Sequence, residues 1–161
     1  FAKTSGLSVA EAKKFIAEYF SDFKEIKKWQ ERVKENAKKD CFVSNLNGRR
    51  RWLLNIVSNY QFLKSQAERE AINMPVQSLA ADILKISMVK VTEYLKEIDW
   101  YGKNVVPLLT IHDELLFEVK SDIIKKVKAD ISKIMENAFK LSVPLKVSVK
   151  TSKNWGQMGS D

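Results

Sequence analysis

The chain has 161 residues, 45% of them hydrophobic, which is enough apolar material for a folded core and too much for a polar tail. A single cysteine, Cys41, and a single histidine, His112, exclude an intramolecular disulfide and a zinc-type ligand set, and no apolar run is long enough for a membrane-spanning helix. Net charge is +8 and uneven, with 13 Lys/Arg against 7 Asp/Glu up to Arg51 and 15 against 13 beyond it, so the first third carries either a polyanion-binding surface or a solvated lysine face.

No membrane partner is expected, and the lone cysteine points to a reducing, cytoplasmic setting. The chain opens on Phe1 rather than Met and shows no leader-like pattern, so it is read as a fragment of something longer.

In chain order, Ser8 and Glu11 have the spacing of a capping box, in which each side chain satisfies the other residue's free backbone N–H. A helix is predicted from there, with Ala12, Phe15, Ile16, Tyr19, Phe20 and Phe23 on one buried face. A lysine-rich helix follows from about Asp22 to Lys39. Phe42 to Ser44 and Arg51 to Ile56 read as the strands of a small hairpin around the turn formers Asn45, Asn47 and Gly48. From about Lys64 to Ile98 the pattern is helical, with Leu84, Met88, Val91, Leu95 and Ile98 on one face and a kink or restart expected at Pro75.

Val105 to Ile111 and Leu115 to Val119 are β-favouring runs separated by His112, Asp113 and Glu114, which predicts a hairpin with an acidic tip. Ser121 is expected to cap a further amphipathic helix through Ile124, Val127, Ile131, Ile134 and Ala138, and Leu145 to Val149 to form a last strand. The class is α+β, with helices packed on one side of a small antiparallel sheet.

Three groups of residues have the chemistry of a site. The carboxylates of Asp113 and Glu114, displayed at a hairpin tip, suit a hard cation such as Mg²⁺, which takes one or two carboxylates and completes its shell with phosphates; Asp is equally at home in a turn for backbone reasons. Arg69, Asn73 and Gln77, four apart, share one face of a helix and could reach phosphates or base edges, or simply form its wet side. Arg49, Arg50 and Arg51 beside Trp52 read as a phosphate contact or as an exposed charged turn. His112 by itself reads as a ligand or as a hydrogen-bonded structural residue.

The order and wording of four motifs resemble family A DNA polymerases of the bacterial polymerase I type: GRRRWLLNI (48–56), EREAINMPVQSLAADILK (68–85), LLTIHDELLFEV (108–119), and ENA, VPLKV and NW between 136 and 155. The resemblance implies that Asp113 is the aspartate that helps hold two catalytic Mg²⁺ ions, with Glu114 its acidic neighbour and His112 near the primer terminus. It implies that Arg69, Asn73 and Gln77 line the primer-template duplex, where minor-groove acceptors at every base pair let donors sense pair shape without reading sequence. Residues 1–62 would be the C-terminal part of the fingers and 63–161 the palm with its metal-binding hairpin. The implied partners are primer-template DNA, deoxynucleoside triphosphates and an upstream polymerase segment carrying a second metal-binding aspartate and the nucleotide-handling helix. Ser78-Leu79 stands where the family often has Gly-Thr, and Leu54 where proline is frequent. The competing readings are a non-catalytic DNA-binding module and a metal-dependent nuclease, the latter needing more clustered carboxylates than Asp113 and Glu114.

Overall fold

The computed structural model describes residues 2–158. The chain forms two compact units, Phe1–Leu79 and Ala80–Asp161, and the division falls inside one long helix.

The first unit begins with a single helical turn, α1 (Ala2–Ser5), which no sequence signal predicts. Helix α2 (Val9–Asp22) starts on the expected capping box: the Ser8 hydroxyl accepts from Glu11 N–H at 3.2 Å and the Glu11 carboxylate accepts from Ser8 N–H at 2.9 Å. Hydrogen bonding of the Glu11 carboxylate to the Ser8 side chain and to the Ser8 backbone N–H holds its carboxyl below the ordinary pKa. The face expected to be buried is not: Ala12 is, but Phe15, Ile16, Tyr19 and Phe23 are exposed, with the Tyr19 ring against those of Phe20 and Phe23 on the same face. Periodicity reports that a helix face is apolar, not what covers it.

Helix α3 (Lys24–Asp40) ends on Cys41, whose positive φ of 57° turns the chain and whose N–H caps the Ala37 carbonyl at 2.9 Å. The hairpin follows, with β1 (Phe42–Ser44) antiparallel to β2 (Arg50–Trp52). The second strand is shorter than expected. Leu53 and Ile56 are both buried, and their spacing of three suits the 3₁₀ turn found at Leu54–Val57 rather than the two-residue period of a strand. Val33, Ala37, Val43, Leu53, Ile56, Ala67, Ala71 and Met74 make the core of this unit.

Helix α4 (Gln61–Glu97) supplies Ala67, Ala71 and Met74 to that core. It runs through Pro75 without the predicted restart. The buried residues flanking the proline on its N-terminal side hold the helix where one missing donor would otherwise weaken it.

In the second unit, β3 (Val105–Ile111) and β4 (Glu114–Val119) form the expected antiparallel hairpin. Its register shifts between Pro107 and Leu109, a bulge where proline's lack of an N–H is tolerated. Helix α5 (Ile124–Glu136) and the last part of α4 pack on it through Val91, Leu95, Val105, Val127 and Ile131, with Phe117 and Val119 alongside. This is the α+β arrangement of helices on a small antiparallel sheet. On α4 the face predicted from Leu84 to Ile98 is deeply buried at Val91 and Leu95, whereas Met88 is exposed.

Two expectations fail here. Ser121 does not cap α5: it opens a 3₁₀ turn, Ser121–Ile123, and α5 starts without a side-chain cap. Leu145 to Val149 joins no ladder, although Leu145, Val147 and Val149 keep the half-buried alternation of a strand and Val147 N–H donates to the Glu136 carboxylate at 3.1 Å. A strand needs a neighbour with free backbone groups, and among the described residues none is aligned beside it. On the surface of this unit the Tyr94 hydroxyl donates to Asp130, which also accepts from Lys126 at 3.0 Å, and the two bonds hold the Asp130 carboxyl below its ordinary pKa.

Candidate active site

The acidic tip is built by hairpin geometry. Ile111 and Glu114 are the last paired residues, so His112 and Asp113 alone make the turn. His112 takes a φ of 51°, in the left-handed region that non-glycine residues enter seldom and histidine more often than most. The backbone is therefore spent on closing the turn within two residues, and the side chains of His112, Asp113 and Glu114 are all left exposed. Behind them, Val105 and Val119, paired at the far end of the ladder, are tied into the core of the unit.

Two carboxylates at one turn match the part of a Mg²⁺ shell that protein commonly supplies, the rest coming from water and phosphate. They do not make a full two-metal set, and among the described residues no group of three or more His, Cys, Asp or Glu is arranged to hold a metal.

The second group lies in the first unit. Arg69, Asn73 and Gln77 are all exposed, while Ala67, Ala71 and Met74 of the same stretch face the core. One side of α4 thus holds the helix in place and the other presents a polar stripe. Arg69 sits between two glutamates with other commitments: Glu68 accepts from Lys38 at 3.0 Å, which lowers its pKa, and Glu70 accepts from Arg51 at 2.8 Å and Gln66 at 3.0 Å.

The arginine-rich hairpin splits its side chains by strand alternation. Val43 and Arg51, directly opposite in register, take one face, where Val43 enters the core and Arg51 meets Glu70 of α4. Phe42, Trp52 and Arg50 take the other. The loop before them is organised by Asn45, a residue the sequence marked only as a turn former. Its side-chain oxygen accepts from Asn47 N–H at 2.9 Å and Arg49 N–H at 3.0 Å, and its amide donates to the Ser78 hydroxyl at 2.9 Å. Asn45 is 7% exposed, so it pins the arginine hairpin to the residue after Gln77. Ser78, a departure from the family's usual glycine, is thereby the acceptor of a long-range bond; the only signal for it is that substitution.

The structure thus gathers His112, Asp113 and Glu114 at one tip, and Arg69, Asn73, Gln77 and Arg49 to Arg51 around α4 and the small hairpin, each group within its own unit.

The chain combines an α+β fold with an exposed acidic hairpin tip in one unit and, in the other, a polar helix stripe beside an arginine-rich hairpin. It belongs to DNA polymerase family A, whose family model matches residues 1–157. It is 40% identical over 156 residues to the thermostable DNA polymerase I of Thermus filiformis, covering 97% of this chain and 18% of that protein. It is 40% identical over 160 residues to DNA polymerase theta of Drosophila melanogaster, covering 97% of this chain and 8% of that one. The POL domain of Pol1 from M. smegmatis, solved with DNA primer-template and dNTP, superimposes with a TM-score of 0.84 at 37% identity, over 91% of this chain and 25% of that one. The chain therefore spans less than a fifth of the length of these curated relatives.

Proposed function

We propose that the chain carries one part of the active site of a template-directed DNA polymerase, which adds nucleotides to a primer 3′-hydroxyl by a two-metal mechanism. The observation that supports this most is the two-residue closure of the β3–β4 hairpin, which presents Asp113 from a turn with no slack. In this reading Asp113 would help hold both Mg²⁺ ions, Glu114 would add negative charge beside it, and His112 would lie near the primer end. Bound there, the metals supply charge neutralisation and a lowered pKa at the attacking hydroxyl.

The side chains of this chain position and neutralise rather than exchange protons, as phosphoryl transfer requires. Arg69, Asn73 and Gln77 would donate to minor-groove acceptors of the primer-template, and Arg49 to Arg51 would meet its phosphates. In this reading residues 1–62 would be the end of the fingers and 63–161 the palm. The remaining metal-binding carboxylate and the deoxynucleoside triphosphate contacts are assigned to an upstream polymerase segment as partner.

The test is a fusion in which this chain replaces the matching segment of the Thermus filiformis enzyme. Mg²⁺-dependent primer extension is expected, and Asp113→Asn should keep the fold and DNA affinity while removing nearly all turnover. A folded fusion that binds primer-template without extending it would show a non-catalytic DNA-binding module instead. An Asp113→Asn variant working at a tenth of the parent rate would overturn the metal assignment.

A further inference from the structure

We infer that Trp52, Phe42 and Arg50 form a stacking platform for the bases of a single-stranded nucleic acid. Strand pairing places Phe42 directly opposite Trp52, with ring centroids 5.2 Å apart and edge to face. Arg50, two residues from Trp52 on the same strand face, lays its guanidinium 4.8 Å from the Phe42 ring centroid. Trp52 remains 64% exposed, although the core of this unit lies against the opposite face of the hairpin, through Val43. An indole left in water beside an arginine is the pairing that single-strand binders use: the ring stacks on a base and the cation takes the phosphate next to it.

The placement is fixed from both sides. Asn45 holds the loop, and Arg51 is tied to Glu70, so β2 cannot roll its aromatic face inward without breaking both. Stacking discriminates little between bases, because every base has a π-face, which suits a surface that must accept any sequence. The choice of single strand over duplex follows from the same geometry: a ring face is open only where bases are unpaired or at an end. If the chain belongs to a copying enzyme as proposed above, that strand is the unpaired template, and only this identification of the strand rests on that reading.

The test uses the 161-residue chain and two fluorescent probes of about 12 nucleotides, within the length one binding module occupies: oligo(dT), and an abasic oligomer with the same phosphates and no bases. The chain should bind oligo(dT) more tightly than the abasic probe. Trp52→Leu, which keeps apolar bulk against Phe42 but removes the π-face, should weaken oligo(dT) binding about tenfold and leave abasic binding unchanged. Trp52→Tyr should restore the parent affinity, and Arg50→Ala should flatten the salt dependence by about one phosphate contact. Equal oligo(dT) affinity in the parent and Trp52→Leu overturns the platform, as does an equal loss on both probes or no oligo(dT) binding by the parent. Melting curves that match the parent's show that each variant is folded. Primer extension by the fusion is a separate readout, so either reading can fall alone.

Discussion

Replacing Gln77 by alanine separates a DNA-contacting role from a structural one. Gln77 is exposed on α4, whereas Met74, one turn earlier, is buried in the core of the first unit. Truncating an exposed polar side chain changes stability by about 0.5 kcal/mol or less. Losing a hydrogen bond to a base edge costs about 1 to 3 kcal/mol, and each 1.4 kcal/mol or so is tenfold in rate. In the active fusion, Gln77→Ala should therefore leave the melting temperature nearly unchanged. It should slow single-nucleotide extension about tenfold or more, most severely past a mismatched primer end and independently of template sequence. Met74→Ala should do the reverse, destabilising by about 2 to 5 kcal/mol while the folded fraction extends matched primers normally. Both variants are read by thermal melting and by kcat/KM on matched and mismatched ends. A large fall in melting temperature for Gln77→Ala with normal extension would make Gln77 structural and remove the duplex-lining role from this face of α4.

Other expectations follow from single contacts. The 161-residue chain alone should not extend a primer in Mg²⁺, because Asp113 and Glu114 supply too little carboxylate for two ions; extension by the purified chain would overturn this. Asn45→Ala should destabilise the first unit by about 1 to 3 kcal/mol, since it removes a buried side chain that accepts from Asn47 and Arg49 N–H and donates to the Ser78 hydroxyl, and denaturant melts would show it. It should also weaken oligo(dT) binding, because the aromatic face of β2 loses its anchor. Asp130→Asn should lower the melting temperature at neutral pH. The Asp130 carboxyl titrates below its unfolded value, so its contribution is full above about pH 4 and is lost as pH falls through the folded pKa. Parent and variant should converge in strong acid, and a constant gap down to about pH 2 would show that Tyr94 and Lys126 do not act through the ionised carboxylate.

Much of the candidate site was legible because its signals are local. The Ser8–Glu11 box, the long run of α4 and the acidic tip between two β-favouring strands depend on bonds among residues close in sequence, and the structure shows all three. The four ordered motifs pointed to the family that the comparisons establish. At Pro75 the helix does not restart: a proline removes one bond from a helix, and the burial of Ala71 and Met74 beside it was not visible in the pattern.

What sequence could not decide concerns partners distant in the chain. The alternation from Leu145 to Val149 is real, but a strand exists only against another strand. The apolar stripe of α2 is real, but burial belongs to whatever lies over it. That Trp52 faces water, that Arg51 is held by Glu70 and that Asn45 reaches Ser78, 33 residues away, were settled by tertiary packing alone. Helical hydrogen bonds close within four residues and so leave their signature in a short window, whereas sheet pairing, burial and side-chain anchoring are set by where the rest of the chain comes to rest.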